Sequence, residues 1–221
     1  MTLKDSLHVY LDRRMLWVFL MGCASGFPWV LIGSAMSGWL KDAGLTRTAI
    51  GLFGTVFAVY AINFLWAPLL DRVKLPAVHS LGQRRSWILV AQAMMLGLTL
   101  LLSSLDPTTS LWTMAVLALG IAIASATQDV AIDAFRIDHF NEAPKHTLPA
   151  ASAMAVIGWW TGYSLPGYLA FRYADSLGWA GVYWILAACL VVLMLATLWV
   201  REPKSDRERL QAELTAQYTQ L

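Results

Sequence analysis

Charged residues are scarce in this sequence. Asp, Glu, Lys and Arg make up 14% of the 221 residues, whereas a soluble domain typically carries about 25%. Hydrophobic residues reach 58%, and the mean hydropathy is +0.57. This composition excludes an ordinary soluble domain, gives no reason to expect a nucleic acid partner, and predicts a protein that lies in membrane lipid.

Metal ligands and thiols are also rare. The two cysteines, Cys23 and Cys189, each lie inside an apolar run. We therefore expect free thiols that behave as small hydrophobic side chains, not a disulfide or a metal site. The four histidines, including His139, are predicted to lie in flanking or connecting segments. No cofactor is expected.

Long apolar runs dominate the rest of the chain. They predict an all-α, polytopic membrane protein with six transmembrane helices at about residues 15–40, 49–67, 86–105, 111–134, 149–171 and 178–200. Together these form one bundle over residues 15–200, preceded by a polar segment (1–14) and followed by a linker (201–221). The first run is too long for a cleaved signal peptide, whose apolar region covers only about 7–15 residues.

The basic residues predict the orientation of the bundle. An even number of crossings leaves both termini on the same side. Of the 16 Lys and Arg residues, all but Lys41, Arg47 and Arg172 lie in the terminal segments and in the second-to-third and fourth-to-fifth connections. Because cytoplasmic segments are enriched in Lys and Arg, we expect both termini in the cytoplasm.

The fourth apolar run contains ionisable residues. Asp129 and Asp133 are spaced to share one helix face, Arg136 follows on that face, and Gln128 precedes the pair. Ionisable groups inside a membrane helix typically mark a path for ions or substrate. A solvated helix end is the alternative, because Asp129 lies about 27 Å from Leu111 in a hydrocarbon core about 30 Å thick. Both interpretations stay open at this point.

Polar content divides the helices into two kinds. The third and sixth carry little that a substrate could use and are expected to face lipid. The other four carry Pro and Gly breaks, polar insertions and paired aromatic residues, which suggests two three-helix repeats of the kind common in secondary transporters. Packing within the bundle is the alternative for the aromatic residues. The candidate cavity residues are Tyr60, Asn63, Trp159, Trp160 and Tyr163.

The connection after the second helix resembles a known motif. Asp71-Arg72 and Gly82-Gln-Arg84-Arg85 are similar to the cytoplasmic loop motif G-x-x-x-D-R-x-G-R-R of the major facilitator superfamily. Two departures are present: Ala67 replaces the first glycine, and extra residues separate the two parts of the motif.

A more specific resemblance combines four stretches. They are Ser25-Gly-Phe-Pro28, Phe64 to Arg72, Gly82-Gln-Arg84-Arg85-Ser86-Trp87, and Gln128-Asp129-Val-Ala-Ile-Asp133-Ala. Together they closely resemble AmpG-type muropeptide permeases, to which the acetyl-CoA transporters are a neighbouring branch. The resemblance covers residues 10–203. Members of that family carry twice as many spans or more, so the chain resembles their N-terminal half. A truncated piece and a natural half with a separate partner chain both stay open.

The resemblance implies a function. AmpG-like proteins are proton-coupled importers, not enzymes, and carry anhydromuropeptides across the bacterial inner membrane for cell-wall recycling and, in some bacteria, for β-lactamase induction. The expected partners are this small glycopeptide substrate, protons, membrane lipid and the C-terminal half of the transporter. A non-transporting membrane scaffold or sensor, and a transporter of another solute such as acetyl-CoA, are the alternatives.

The resemblance also implies roles for individual residues. Asp129 is the expected proton carrier, because burial favours the neutral form of a carboxyl group, with Gln128 beside it. Asp133 and Arg136 are expected to form a gate pair. The residues expected at a cytoplasmic gate are Asp71, Arg72, Arg84 and Arg85. An intramembrane aspartyl protease is excluded, since both carboxylates lie on one helix and its G-x-G-D motif is absent.

Overall fold

The computed structural model describes residues 9–75, 79–140 and 147–202. These residues form helices and short connections, with no strand among them. Five of their helices are long and apolar enough to cross a membrane. The prediction of an all-helical membrane protein is therefore confirmed. Most of the predicted segment 1–14 and nearly all of the predicted linker 201–221 lie outside the described residues.

The five long helices follow one another with short connections. They are α1 (Arg13–Asp42), α2 (Arg47–Leu65), α3 (Gln83–Leu102), α4 (Leu111–Phe140) and α5 (Thr147–Trp199). Short helical segments cover Val9–Leu11, Ala67–Arg72 and His79–Leu81. Because Phe135 and Phe140 are buried in the bundle, α4 continues past its expected end. His139 therefore lies in the last turn of α4, and its prediction as part of a connection was wrong.

The chain reverses its direction within α5. Gly178 has φ 68° and ψ 166°, a non-helical conformation that glycine adopts without steric cost. We call the residues before it α5a (147–177) and those after it α5b (179–199). Trp179 donates a hydrogen bond to Asp42 at the end of α1, whereas the ring of Trp199 lies beneath the guanidinium of Arg13 at the start of α1. Thus α5b runs antiparallel to α1.

Helices α1 and α5a pack with their backbones in contact. Gly22 and Gly26 of α1 face Gly158 and Gly162 of α5a. A Cβ atom on Gly26 would lie 2.0 Å from the carbonyl oxygen of Trp159, and one on Gly162 would lie 2.1 Å from that of Cys23. Small residues permit such close approach between membrane helices. We call this contact the glycine seam.

The second half of α1 departs from regular α-helix. Pro28 lacks a backbone N–H group, and a π-helical turn follows at Val30–Ala35. The hydroxyl of Tyr183, on α5b, is fully buried and donates a 2.7 Å hydrogen bond to the carbonyl of Leu31 within this turn. The irregular turn is therefore fixed by a contact with α5b.

Helix α2 is much less enclosed than α1. Buried residues make up 67% of the most apolar window of α1 but only 11% of that of α2. Helix α2 also alternates between α-helix and tighter 3₁₀ turns, at Gly54–Ala58 and Asn63–Leu65. Its exposed face is available to lipid or to another protein segment.

Candidate functional site

The carboxylate of Asp129 lies between α4 and α1. It is partly buried and accepts a 2.6 Å hydrogen bond from the hydroxyl of Ser25. Ser25 stands on α1 between the two glycines of the seam, and its hydroxyl reaches α4. Among the described residues, no cation forms a salt bridge with Asp129.

Asp133 and Arg136 lie one turn further along α4. Their side chains form a 2.9 Å salt bridge and are 63% and 35% exposed. They line a cavity of about 200 Å³ between α1, α4 and α5a, which Ser25 and Trp159 also line. An ion pair this exposed is screened by water and contributes at most about 1 kcal/mol to stability. Asp129 and Asp133 therefore lie in different environments although they share a helix face.

Gln128 faces α1 and not the cavity. Its side chain is fully buried, and its amide nitrogen donates a 2.8 Å hydrogen bond to the carbonyl of Ala24. Its side-chain oxygen has no hydrogen-bond partner among the described residues. Gln128 thus attaches α4 to α1 next to the Ser25–Asp129 contact.

Helix α2 contributes Tyr60 to the same region. The hydroxyl of Tyr60 donates a 2.8 Å hydrogen bond to Ser125, which lies one helical turn before Asp129 on α4. Asn63 is half-buried at the start of a 3₁₀ turn. The contact between Tyr60 and Ser125 brings α2 to the polar face of α4.

Five aromatic rings from three helices meet beside these polar groups. They are Trp29 of α1, Phe57 and Tyr60 of α2, and Trp159 and Tyr163 of α5a, and we call them the aromatic cluster. Trp29 stacks on Phe57 with 4.4 Å between ring centroids and meets Trp159 edge-on at 5.7 Å. Trp159 in turn stacks on Tyr163 at 5.7 Å. All five side chains remain partly exposed.

Sequence reasoning found only part of this cluster. It named Tyr60, Trp159 and Tyr163, but it missed Trp29 and Phe57, because no local pattern reveals that rings on separate helices touch. Trp160, which it also named, lies at the edge of the cluster, is 57% exposed and contacts Trp159.

A second group of charges lies at the N-terminal end of α3. Arg84 forms salt bridges with both Asp71 and Asp138, the latter at 3.3 Å. Arg85 donates to the carbonyl of Thr197 at the end of α5b, at 3.2 Å. The structure thus brings three of the four predicted gate residues together, while Arg72 points into solvent.

Glu202 completes this group and was missed from the sequence. Its two oxygens accept hydrogen bonds from the backbone N–H groups of Arg84 and Arg85, each at 2.9 Å, and so cap the N-terminus of α3. Burial raises the pKa of Glu202 above its usual value. Gly82 has φ 112°, and a Cβ atom there would lie 2.3 Å from Glu202. The positive φ, which side chains other than glycine rarely adopt, explains the glycine of the motif.

The available chemistry is hydrogen bonding, ion pairing and aromatic contact. No group of three or more His, Cys, Asp or Glu residues is placed to hold a metal ion in the described part of the chain. Cys23 and Cys189 are free thiols.

Comparison with known proteins identifies the family. A family model described as "Major Facilitator Superfamily" matches residues 18–220. The chain is 36% identical to "Anhydromuropeptide permease" of Escherichia coli (strain K12) over 198 residues, which cover 89% of the chain and 39% of that protein. It is 32% identical to "Putative transporter AmpG 4" of Rickettsia felis over 203 residues, covering 91% of the chain and 48% of the relative. The chain thus spans less than half the length of these relatives.

These matches confirm the resemblance to AmpG-type permeases. Together with the long apolar helices, they mark the chain as a multi-pass protein of the bacterial inner membrane. The family match takes in almost every described residue of α1 to α5. The chain belongs to the major facilitator superfamily.

Proposed function

We propose that the chain is the N-terminal half of a proton-coupled secondary transporter that imports anhydromuropeptides across the inner membrane for cell-wall recycling. The observation that carries this proposal is Asp129, a carboxylate enclosed between two membrane helices and paired with a hydroxyl instead of a cation. The name of the Escherichia coli relative supports the substrate.

The contact between Ser25 and Asp129 suits a proton carrier. When the carboxylate is ionised, the serine hydroxyl donates to it, and when the carboxyl group is protonated, the same hydroxyl can accept. Protonation leaves no buried cation without its partner, which would be the costly result if Asp129 were paired with Arg or Lys. Asp129 can therefore change its charge without disrupting the bundle.

Asp133 and Arg136 form the gate pair in this proposal. Their exposed ion pair lines the cavity and costs little to break. Gln128 keeps α4 against α1 while the pair opens and closes. Substrate contacts come from the aromatic residues and from the polar groups of α2, namely Tyr60, Asn63, Trp159, Trp160 and Tyr163.

The proposed topology has six crossings and cytoplasmic termini. The reversal at Gly178 supports counting α5a and α5b as two crossings. The group formed by Asp71, Arg84 and Arg85 then lies at the cytoplasmic end and closes the transporter on that side, with Arg72 at its edge. The greater length of the relatives supports a C-terminal half as partner, with the substrate cavity between the two halves.

Two other functions remain candidates. A transporter of a polyanion such as acetyl-CoA would need unpaired basic groups in its cavity, whereas Arg136 of the described cavity is already paired with Asp133. A scaffold or sensor would not need a carboxylate that can exchange a proton inside the bundle. Muropeptide import therefore accounts for the described residues better than either of these alternatives.

Uptake of labelled anhydromuropeptide tests the proposal. Membrane vesicles carrying the chain in its complete transport assembly should accumulate the label when a proton gradient is imposed. Asp129→Asn should abolish accumulation, because the amide cannot exchange a proton, while the protein remains in the membrane. Asp133→Asn is the matched control on the same helix face and should retain part of the uptake. Full accumulation by Asp129→Asn would show that this residue does not couple uptake to protons. Uptake of acetyl-CoA instead of the muropeptide would show that the substrate is a different one.

A further inference from the structure

We propose that the aromatic cluster is a carbohydrate-binding platform with Trp29 at its centre. It would take the saccharide rings of the cargo and leave the peptide portion to other parts of the cavity. That the cargo is a glycopeptide rests on the proposed function, whereas affinity for sugar rings follows from this chain's own side chains.

The depth of the cluster in the bundle distinguishes its rings from tryptophans that anchor a protein at the membrane surface. Tryptophan often lies at the boundary between lipid and water. Trp29 instead lies about 24 Å along α1 from Arg13 at about 1.5 Å per residue, near the middle of this 30-residue helix. At that depth, the indole needs another reason to meet three further rings from α2 and α5a.

The rings of the cluster differ from core rings in their exposure. Phe27 and Tyr183, which belong to the main core, are fully buried. Phe57, Tyr60 and Tyr163 pack against that core, yet each of the five rings of the cluster keeps part of its surface open. A set of rings that packs together and still presents an open surface at mid-depth is suited to receive a ligand.

The chemistry of the cluster favours the uncharged pyranose rings of a saccharide. Aromatic faces carry a partial negative charge, and the C–H groups on the flat side of a pyranose ring are weakly positive. Two of the rings also carry hydroxyls: that of Tyr60 donates to Ser125, and that of Tyr163 accepts from Ser34 at 3.0 Å. Each of these hydroxyls can donate and accept.

Two measurements test the platform in the complete transport assembly. The first is equilibrium binding of radiolabelled N-acetylglucosaminyl-anhydro-N-acetylmuramic acid, without peptide, to the detergent-solubilised protein. The second is uptake of the whole anhydromuropeptide by vesicles. Trp29→Leu removes the aromatic face, whereas Trp29→Phe keeps a smaller one. Phe27→Leu is the control for a ring that only packs, and Trp112→Leu is the control for an exposed ring outside the cluster (81% exposed).

Trp29→Leu should weaken disaccharide binding about five- to tenfold, the effect of losing one good aromatic contact. Trp29→Phe should restore most of the affinity. Phe27→Leu should lower the yield of folded protein but leave the affinity of the folded fraction unchanged, and Trp112→Leu should change neither.

The two measurements also separate this proposal from the proposed function. Disaccharide binding that depends on Trp29, without any uptake, would uphold the platform and refute the transport function. Uptake with equal affinity in the wild type and in Trp29→Leu would refute the platform and uphold transport. Equal loss of affinity in Trp29→Leu and Trp29→Phe, or no disaccharide binding by the wild type, would also overturn the platform.

Discussion

Helices α1 and α2 both face the candidate site, but the bundle holds them very differently. Helix α1 is pressed against α5a along the glycine seam, and its irregular turn is held by Tyr183. Helix α2 reaches the site through Tyr60, and a 3.2 Å hydrogen bond from Trp66 to Thr127 is a further link to α4. The difference indicates that α1 is the fixed wall of the site and α2 the wall that can adjust.

The largest effect should come from filling the glycine seam. Gly26→Ala places a methyl group 2.0 Å from the backbone of α5a, so the two helices must separate. We expect a loss of about 3 kcal/mol in the free energy of unfolding, at the upper end for overpacked cores, measured by thermal denaturation in detergent.

Gly51→Ala on α2 is the matched control for the seam. Nothing lies within 4 Å of the added methyl group there. This variant should gain roughly 0.5–1 kcal/mol, because alanine is the better helix former. Equal destabilisation by both changes would contradict the distinction between a fixed and an adjustable wall.

Removing one hydroxyl from each wall gives a smaller effect. Tyr183→Phe leaves the buried carbonyl of Leu31 without this partner and should cost about 1–3 kcal/mol. Ser125 is fully buried too, but its hydroxyl can turn to a carbonyl one turn back in α4, so Tyr60→Phe should cost about 1 kcal/mol or less. Chemical denaturation of both variants measures the difference. A larger cost for Tyr60→Phe would reverse the assignment of the two walls.

The smallest effect concerns the start of each helix. Asp12 caps α1 by accepting from the backbone N–H group of Arg14 at 2.8 Å, and Thr46 caps α2 by accepting from that of Ala49 at 3.2 Å. Hydrogen bonding from the Arg14 side chain lowers the pKa of Asp12. Asp12 therefore stabilises α1 above its ordinary pKa of 3.8, and this stabilisation is lost as the pH falls through the lowered value.

The capping prediction is tested with three variants. Asp12→Ala and Thr46→Ala should each cost about 1 kcal/mol at neutral pH. Asp12→Asn should keep the cap and remove its pH dependence, whereas Thr46→Ala should leave the pH dependence of the wild type unchanged. Hydrogen exchange at the first turn of each helix provides the measurement. An unchanged acid response in Asp12→Asn would show that another group titrates.

The sequence predicted features that depend on local spacing. Apolar runs gave the long helices, and the four-residue separation of Asp129 and Asp133 placed both on one face of α4. The spacing of Gly22 and Gly26 does not reveal the glycine seam, because the opposing glycines, Gly158 and Gly162, lie more than a hundred positions away in the chain.

The features missed from the sequence all depend on distant contacts. Glu202 and Asp138 lie in polar surroundings that resemble any solvated segment, yet they bind the motif residues Arg84 and Arg85. Trp29 and Phe57 touch across two helices, and a contact between helices leaves no local pattern in the sequence. His139 was misplaced because hydropathy falls before α4 ends, whereas packing of the neighbouring phenylalanines extends the helix.

The reversal at Gly178 has a mechanical consequence. With no connecting loop, the two arms of α5 have no slack between them, so their relative height is fixed. One arm carries Trp159 in the aromatic cluster, and the other ends at the carbonyl of Thr197, which holds Arg85. We therefore expect a tilt of α5a to displace the Thr197 end of α5b, because the two arms are joined directly at Gly178.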